Sequence, residues 1–142
     1  MIDNSKKWVI FDLDGTLADI EGRRKMATKS NGKMDWDIFF ADRLVETDLP
    51  NQPVIDTLHA FAEAGYSIAI FSGRSASTKK VTEDWLIKHG CHHDLLKLRP
   101  EKHPFKFMPD EKLKLQWLNE MDWKDNVVAV FDDRDKVVNM WR

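Results

Sequence analysis

A chain of 142 residues has room for one domain around one core. Charged residues make up 32% and hydrophobic ones 42%, which excludes a collagenous, coiled-coil or disordered chain. The net charge of −2 argues against a globally basic nucleic-acid binder and leaves local basic patches open. A single cysteine, Cys91, rules out an internal disulfide and points to a reducing compartment, the cytoplasm. No apolar run nears the roughly 20 residues a membrane helix needs. The opening Met1-Ile2-Asp3-Asn4-Ser5-Lys6-Lys7 leads into a hydrophobic stretch too short, and too acidic downstream, for a signal peptide.

In chain order, the first element is the run Trp8-Val9-Ile10-Phe11. With Ser67-Ile68-Ala69-Ile70-Phe71 and Val127-Val128-Ala129-Val130-Phe131 it forms a set of continuous, β-branched-rich runs, as expected of strands buried on both faces of a parallel sheet. Leu95-Leu96-Lys97-Leu98 is a weaker fourth candidate. Helices are predicted over Pro53–Ala64, with Val54, Leu58 and Phe61 on one face, and over Ser75–His89, ending at Gly90. A third begins with Asp110 as its N-cap and repeats Leu113, Trp117 and Met121, and a last one covers Asp133–Arg142. Strands alternating with helices imply a doubly wound, three-layer α/β/α fold of Rossmann type. The segment from about 19 to 51 is polar and long for a first crossover, and is read as a small cap or flap within a single domain.

Each strong strand ends in turn-forming and charged residues: Asp12-Leu13-Asp14-Gly15-Thr16, Ser72-Gly73-Arg74 and Asp132-Asp133-Arg134-Asp135. One such end would be an ordinary turn. Three at one edge of a sheet gather at least four carboxylates, whose repulsion demands a cation or protonation. Hard oxygen ligands beside a phosphate-bearing substrate suit Mg²⁺ better than zinc. Cys91-His92-His93 offers no second ligand pair at metal-binding spacing, and Trp85, Trp117 and Trp141 fall at helical spacing with other apolar residues, as core. Trp36 in the presumed cap is either cap packing or a platform for a nucleobase.

These motifs resemble the haloacid dehalogenase (HAD) superfamily of phosphotransferases: DxDGT at Asp12–Thr16, a hydroxyl after the second strand at Ser72, a lysine at Lys114 with Lys112 as rival, and an acidic pair at Asp132-Asp133. A closer resemblance is to the 3′-phosphatase domain of phage polynucleotide kinases, carried also by Gly22-Arg23, Ser72-Gly73-Arg74, Pro109-Asp110 and Asp132-Asp133-Arg134 running to Trp141-Arg142. The resemblance implies Asp12 as nucleophile and Asp14 as general acid and base, the latter with a pKa raised by neighbouring carboxylates. It implies Lys114 as charge balance, and Mg²⁺ on Asp12, Asp132 and the Asp14 carbonyl, with Asp133 either binding the ion directly or one contact removed. Thr16, Ser72, Gly73, Arg74, Arg23 and Asp110 would serve the substrate phosphate. It would also place a phage-encoded protein in a host cytoplasm.

The expected substrates are 3′-phosphorylated DNA or RNA ends, with nucleotides and other small phosphomonoesters as the alternative and a non-catalytic binding module as the least favoured. Basic clusters at 20–33 (Arg23, Arg24, Lys25, Lys29, Lys33) and at 97–106 (Lys97, Arg99, Lys102, Lys106) fit a phosphodiester backbone or plain solvated loops. No GxxxxGK[ST] loop is present, so 5′-phosphorylation is not expected. The family usually continues through one more strand after Trp141-Arg142, so either the sheet lacks an edge strand and leaves an edge uncovered, or the chain is a truncated portion, and the oligomeric state is open.

Overall fold

A computed structural model describes residues 6–142, without the side chains of Asp135 and Lys136. The first five residues, and with them most of the stretch weighed above as a leader, lie outside the described residues. The elements in order are β1 (Trp8–Phe11), β2 (Ala18–Asp19), α1 (Glu21–Ala27), α2 (Trp36–Phe39), α3 (Asp42–Val45) and β3 (Leu49–Pro50). They continue as α4 (Gln52–Glu63), β4 (Ser67–Ser75), α5 (Lys79–Lys88), β5 (Leu95–Arg99), α6 (Asp110–Glu120), β6 (Val127–Phe131) and α7 (Asp135–Trp141).

Four strands form a parallel sheet in the order β5-β4-β1-β6. The pleat sorts their side chains onto two faces. Val9 and Phe11 of β1 join Ile68 and Ile70 of β4, Ile55 and Leu58 of α4, and Trp85 and Leu86 of α5 in one core. Ile10, Ala69 and Phe71 face the other way, onto Leu113 and Trp117 of α6, with Trp141 of α7 at the margin. The three-layer α/β/α expectation is met, and all four apolar runs are strands.

The order of the strands positions the site. From β1 the chain moves outward through β4 to β5, then crosses back to place β6 on the opposite flank. Above the carboxyl end of β1 the neighbouring connections therefore leave in opposite directions, and the crevice between them is where such sheets bind ligands. The first crossover leaves and returns through the two-residue antiparallel pair of β2 and β3, with α1, α2 and α3 between them. Asn51 closes its base, donating from Nδ2 to the Thr16 carbonyl at 2.9 Å.

Several helix boundaries differ from expectation: α4 is shifted by one residue at each end, and α7, expected over Asp133–Arg142, runs Asp135–Trp141. A 3₁₀ turn over Ala76–Thr78 precedes α5, because β4 runs on to Ser75, whose hydroxyl accepts from the Ser77 amide. Met121 lies just past the end of α6. Asp110 is the first residue of α6, not its cap: the N-cap is Pro109, and the Asp110 carboxylate is taken by two arginines. A guanidinium competes well for a carboxylate against a backbone amide.

Candidate active site

The turn after β1 carries the first two aspartates. Gly15 has φ of +80°, and a Cβ there would collide with the Asp133 carboxylate, so this turn can close under β6 only around glycine. The amides of Leu17 and Ala18 bond to the Leu13 carbonyl at 3.0 and 2.9 Å, and Asp12 is tied to β6 through its amide and the Phe131 carbonyl at 2.8 Å. The two side chains then enter different surroundings.

Asp12 is buried at the bottom of the crevice and belongs to an acidic set. Carboxylate oxygens of Asp12, Asp132 and Asp133 lie within 4.8 Å of one another, a spacing that could hold a metal ion. Lys114, 1% exposed, reaches in from α6 and donates to Asp12 Oδ1 at 3.0 Å and to Asp132 Oδ2 at 2.7 Å. Lys112 is exposed, so the rivalry between the two lysines resolves in favour of Lys114. Burial pushes the Asp12 carboxyl up; Lys114 opposes this, while the Asp132 charge and a hydrogen bond with Asp133 reinforce it, and the result lies well above the ordinary carboxylate range. Burial alone would lower Lys114, but Asp12 and Asp132 together outweigh it and hold the ammonium charged. With all three carboxylates ionised they exceed the one ammonium by two negative charges, which one divalent cation would balance, relieving the repulsion that otherwise favours a proton on Asp12. The residues present therefore fit Mg²⁺.

Asp14 belongs to a second set, which is neutral. Its Oδ1 accepts from Arg74 Nε at 2.9 Å, Arg74 Nη2 at 2.6 Å and Arg23 Nη2 at 2.9 Å. Asp48, just before β3, shares these donors: Arg23 Nε and Nη2 at 2.9 and 2.8 Å in a two-pronged pair, and Arg74 Nη2 at 3.1 Å. Both guanidiniums are buried, as is Asp48. Arg23 also donates to the Phe39 carbonyl, and Arg74 to Thr82. Burial raises Asp14, but the charges and hydrogen bonds of Arg74 and Arg23 outweigh it and the net shift is downward. The expectation of a raised pKa at Asp14 is thereby corrected. The like charges act on Asp12, and Asp14 is turned towards two cations.

Arg23 and Arg74 are thus spent on carboxylates, and the Asp14 side chain is absent from the acidic set. Ser72 is buried, its hydroxyl accepting from the Arg74 amide at 3.2 Å. The Thr16 hydroxyl oxygen is buried with no hydrogen-bond partner among the described residues, which leaves it able to bond an incoming oxygen. A Cβ on Gly73 would come 2.6 Å from Asp110 Oδ1, so the close approach of β4 to α6 requires glycine. Asp110 binds Arg99 through Oδ1 and Arg134 through Oδ2.

The sequence reading missed Asp48, Thr82 and the pairing of Arg99 with Arg134 across Asp110. For Asp48 no local pattern was available, because its partners Arg23 and Arg74 lie 25 and 26 residues away.

A family model described as the polynucleotide kinase PNKP phosphatase domain matches residues 6–142. A protein of Autographa californica nuclear polyhedrosis virus, provisionally named a bifunctional polynucleotide kinase/RNA ligase, is 32% identical over 143 residues, covering 99% of this chain and 18% of its own length. A chain of the Pnkp1/Rnl/Hen1 RNA repair complex aligns at 32% identity with a TM-score of 0.74, over 96% of this chain and 39% of that one. The class C acid phosphatase of Bacillus anthracis shares the fold at 22% identity, with a TM-score of 0.63 over 93% of this chain and 54% of its own. The chain thus spans well under half the length of the two relatives at 32% identity.

Proposed function

The chain belongs to the PNKP phosphatase-domain family of HAD phosphatases, and on that premise we propose that it removes the 3′-phosphate from nucleic-acid ends through an aspartyl-phosphate, with Mg²⁺ as cofactor. The observation that carries the reading is the buried Lys114 ammonium joining Asp12 to Asp132 beneath the DxDGT turn. It cancels part of the charge on a carboxylate that would otherwise repel a phosphate dianion.

Asp12 attacks phosphorus, its Oδ–P bond forming as the bond to the 3′ oxygen breaks. Asp12, Asp132 and Asp133 would hold the ion with the Asp14 carbonyl, and a bound Mg²⁺ supplies charge neutralisation at the phosphoryl oxygens. Lys114 neutralises the nucleophile and one non-bridging oxygen, and the Thr16 and Ser72 hydroxyls donate to others. Asp14 protonates the departing hydroxyl and then takes a proton from the water that cleaves the intermediate. Held low by its arginines, it is a carboxylate at neutral pH, ready for the second half-reaction, and only its protonated minority serves the first. Arg23 and Arg74 hold this carboxylate in place and can reach phosphate only by releasing it. Asp110 orients Arg99 and Arg134 beside Gly73.

The segment between β2 and β3 is a small cap, and its shortness favours a polymer end over a closed pocket. The carboxylates and Lys114 are all present, which weighs against a binding module. Phosphate release from a 3′-phosphorylated oligonucleotide, compared with 3′- and 5′-mononucleotides in Mg²⁺ or EDTA, tests the reading. Release from the oligonucleotide in Mg²⁺ alone is expected, and equal rates on mononucleotides would defeat the polymer-end assignment. Asp12→Asn should fold and release nothing; a tenth of the wild-type rate would exclude Asp12 as nucleophile.

A further inference from the structure

We propose that Phe107 stacks on an unpaired nucleobase at the 3′ end of the substrate; the assignment rests on the nucleic-acid reading above and deepens it.

The loop between β5 and α6 carries a 3₁₀ turn, Phe105–Phe107, and its surroundings are held firmly. Phe105 and Met108 pack against the core under α6. The Arg99 guanidinium donates through Nη1 to the carbonyls of both Phe105 and Met108, through Nε to the Gly73 carbonyl at 3.1 Å, and through Nη2 to Asp110. One side chain therefore fastens the loop to the carboxyl end of β4, next to Ser72, and to the start of the helix that delivers Lys114. Phe107 lies between the two anchored residues and is itself 78% exposed, more than any other large apolar side chain among the described residues. The Lys106 ammonium lies 5.7 Å from its ring centroid. Single exposed apolar side chains are common on protein surfaces, and what sets this one apart is its place on a loop pinned on both sides, between exposed cations and the carboxyl end of β4.

The charge around it names the occupant. Lys102 and Lys106 are exposed on the same loop against one exposed acid there, Glu101, while Arg134, its side chain 57% exposed, is paired with Asp110 and follows exposed Asp133. A protein partner would need an acidic patch and an apolar one together. A single-stranded nucleic acid offers both through its repeating unit: phosphates for the cations and a flat base for the ring. Stacking with a nearby cation is the general device by which unpaired strands are held without sequence preference. A base in a duplex has both faces covered, so the device selects frayed or single-stranded ends.

The test uses binding, so that it does not depend on turnover. Asp12→Asn protein is titrated with a fluorescent, 3′-phosphorylated single-stranded oligonucleotide and with the same strand carrying abasic residues at its last three positions. Phe107→Ala in that background should weaken binding of the intact strand about tenfold, the scale of one stacked base. It should weaken binding of the abasic strand by less than about twofold on the same scale, and Phe107→Trp should restore the intact-strand affinity. Equal losses on both strands, no loss on either, or no binding of the intact strand by the Phe107 protein would overturn the inference. An intact strand that binds through Phe107 but is not dephosphorylated by the wild-type chain would leave the inference standing and sink the 3′-phosphatase reading.

Discussion

Lys114 and Asp12 stand 102 residues apart in the chain and meet at 3.0 Å, nitrogen to carboxylate oxygen, in the interior of the protein. Each is costly to bury alone, and the pair is tolerable only because α6 and β1 pack to bring them together. Removing one member strands the other. Lys114→Met should lower kcat on a phosphorylated oligonucleotide by on the order of 10²-fold or more, as expected for losing a donor aimed at developing charge. It should also lower the thermal midpoint measured in EDTA, and Mg²⁺ should recover part of that loss by neutralising the freed carboxylates. A variant with unchanged kcat would remove Lys114 from the chemistry.

The acidity of Asp14 sets a pH dependence. A proton donor with a lowered pKa loses its competent form as the pH rises, so kcat on an alkyl phosphate such as a 3′-phosphorylated end should fall from mildly acidic to alkaline pH. An aryl phosphate, whose leaving group needs no proton, should show a flatter profile. Parallel profiles for the two substrates would contradict the role given to Asp14.

Asp48 is the partner that lets two arginines coexist around Asp14. Asp48→Asn leaves two guanidiniums facing one carboxylate, and the loss of folding stability should be about 3–5 kcal/mol by chemical denaturation, the scale for breaking a buried pair. The same variant should depress the Asp14 pKa further, shrinking its protonated fraction and lowering kcat on the alkyl phosphate throughout the pH range above that pKa. A stable variant with unchanged kcat would show that the second charge set is dispensable.

The acidic set predicts metal-linked stability. Mg²⁺ should raise the thermal midpoint of the wild type in a concentration-dependent way, by the mass-action stabilisation expected of a ligand that binds only the folded state. Asp133→Asn should weaken the response, and Gly15→Ala should weaken it too by pushing the Asp133 carboxylate aside and straining a positive-φ turn. Asp14→Asn should leave the response largely intact, because that side chain points into the arginine set. An equal loss in Asp14→Asn would mean the two sets are not separate.

Much of this was legible in the sequence wherever the signal is local. Continuous apolar runs ending in Asp12, Ser72 and Asp132 carried both the parallel sheet and the shared edge, since strands buried on two faces have no polar alternation to hide them. In the sequence Lys114 is preferred over Lys112 on the motif match alone, and the burial of one and the exposure of the other separate them in the fold. What stayed hidden depends on which side chains meet across the fold. Asp110 reads as a helix cap because its neighbours in sequence suggest one, while its actual partners, Arg99 and Arg134, arrive from β5 and from beyond β6. The sign of the Asp14 shift was misread for the same reason: neighbouring aspartates are visible in the sequence, and the turn that points this one at Arg23 and Arg74 is not.

The chain crosses into and out of the segment bearing Arg23 and Asp48 through a ladder only two residues long, β2 with β3. Such a narrow doorway makes that insert easy to swap between related scaffolds without disturbing the sheet. An exchange would split the proposed machinery unevenly: Asp12, Asp132, Asp133 and Lys114 stay behind on the sheet and α6, whereas Asp14, the proposed proton donor, loses half its grip. Chimeras built at this junction should therefore inherit phosphoryl capture from the host and leaving-group tolerance from the graft.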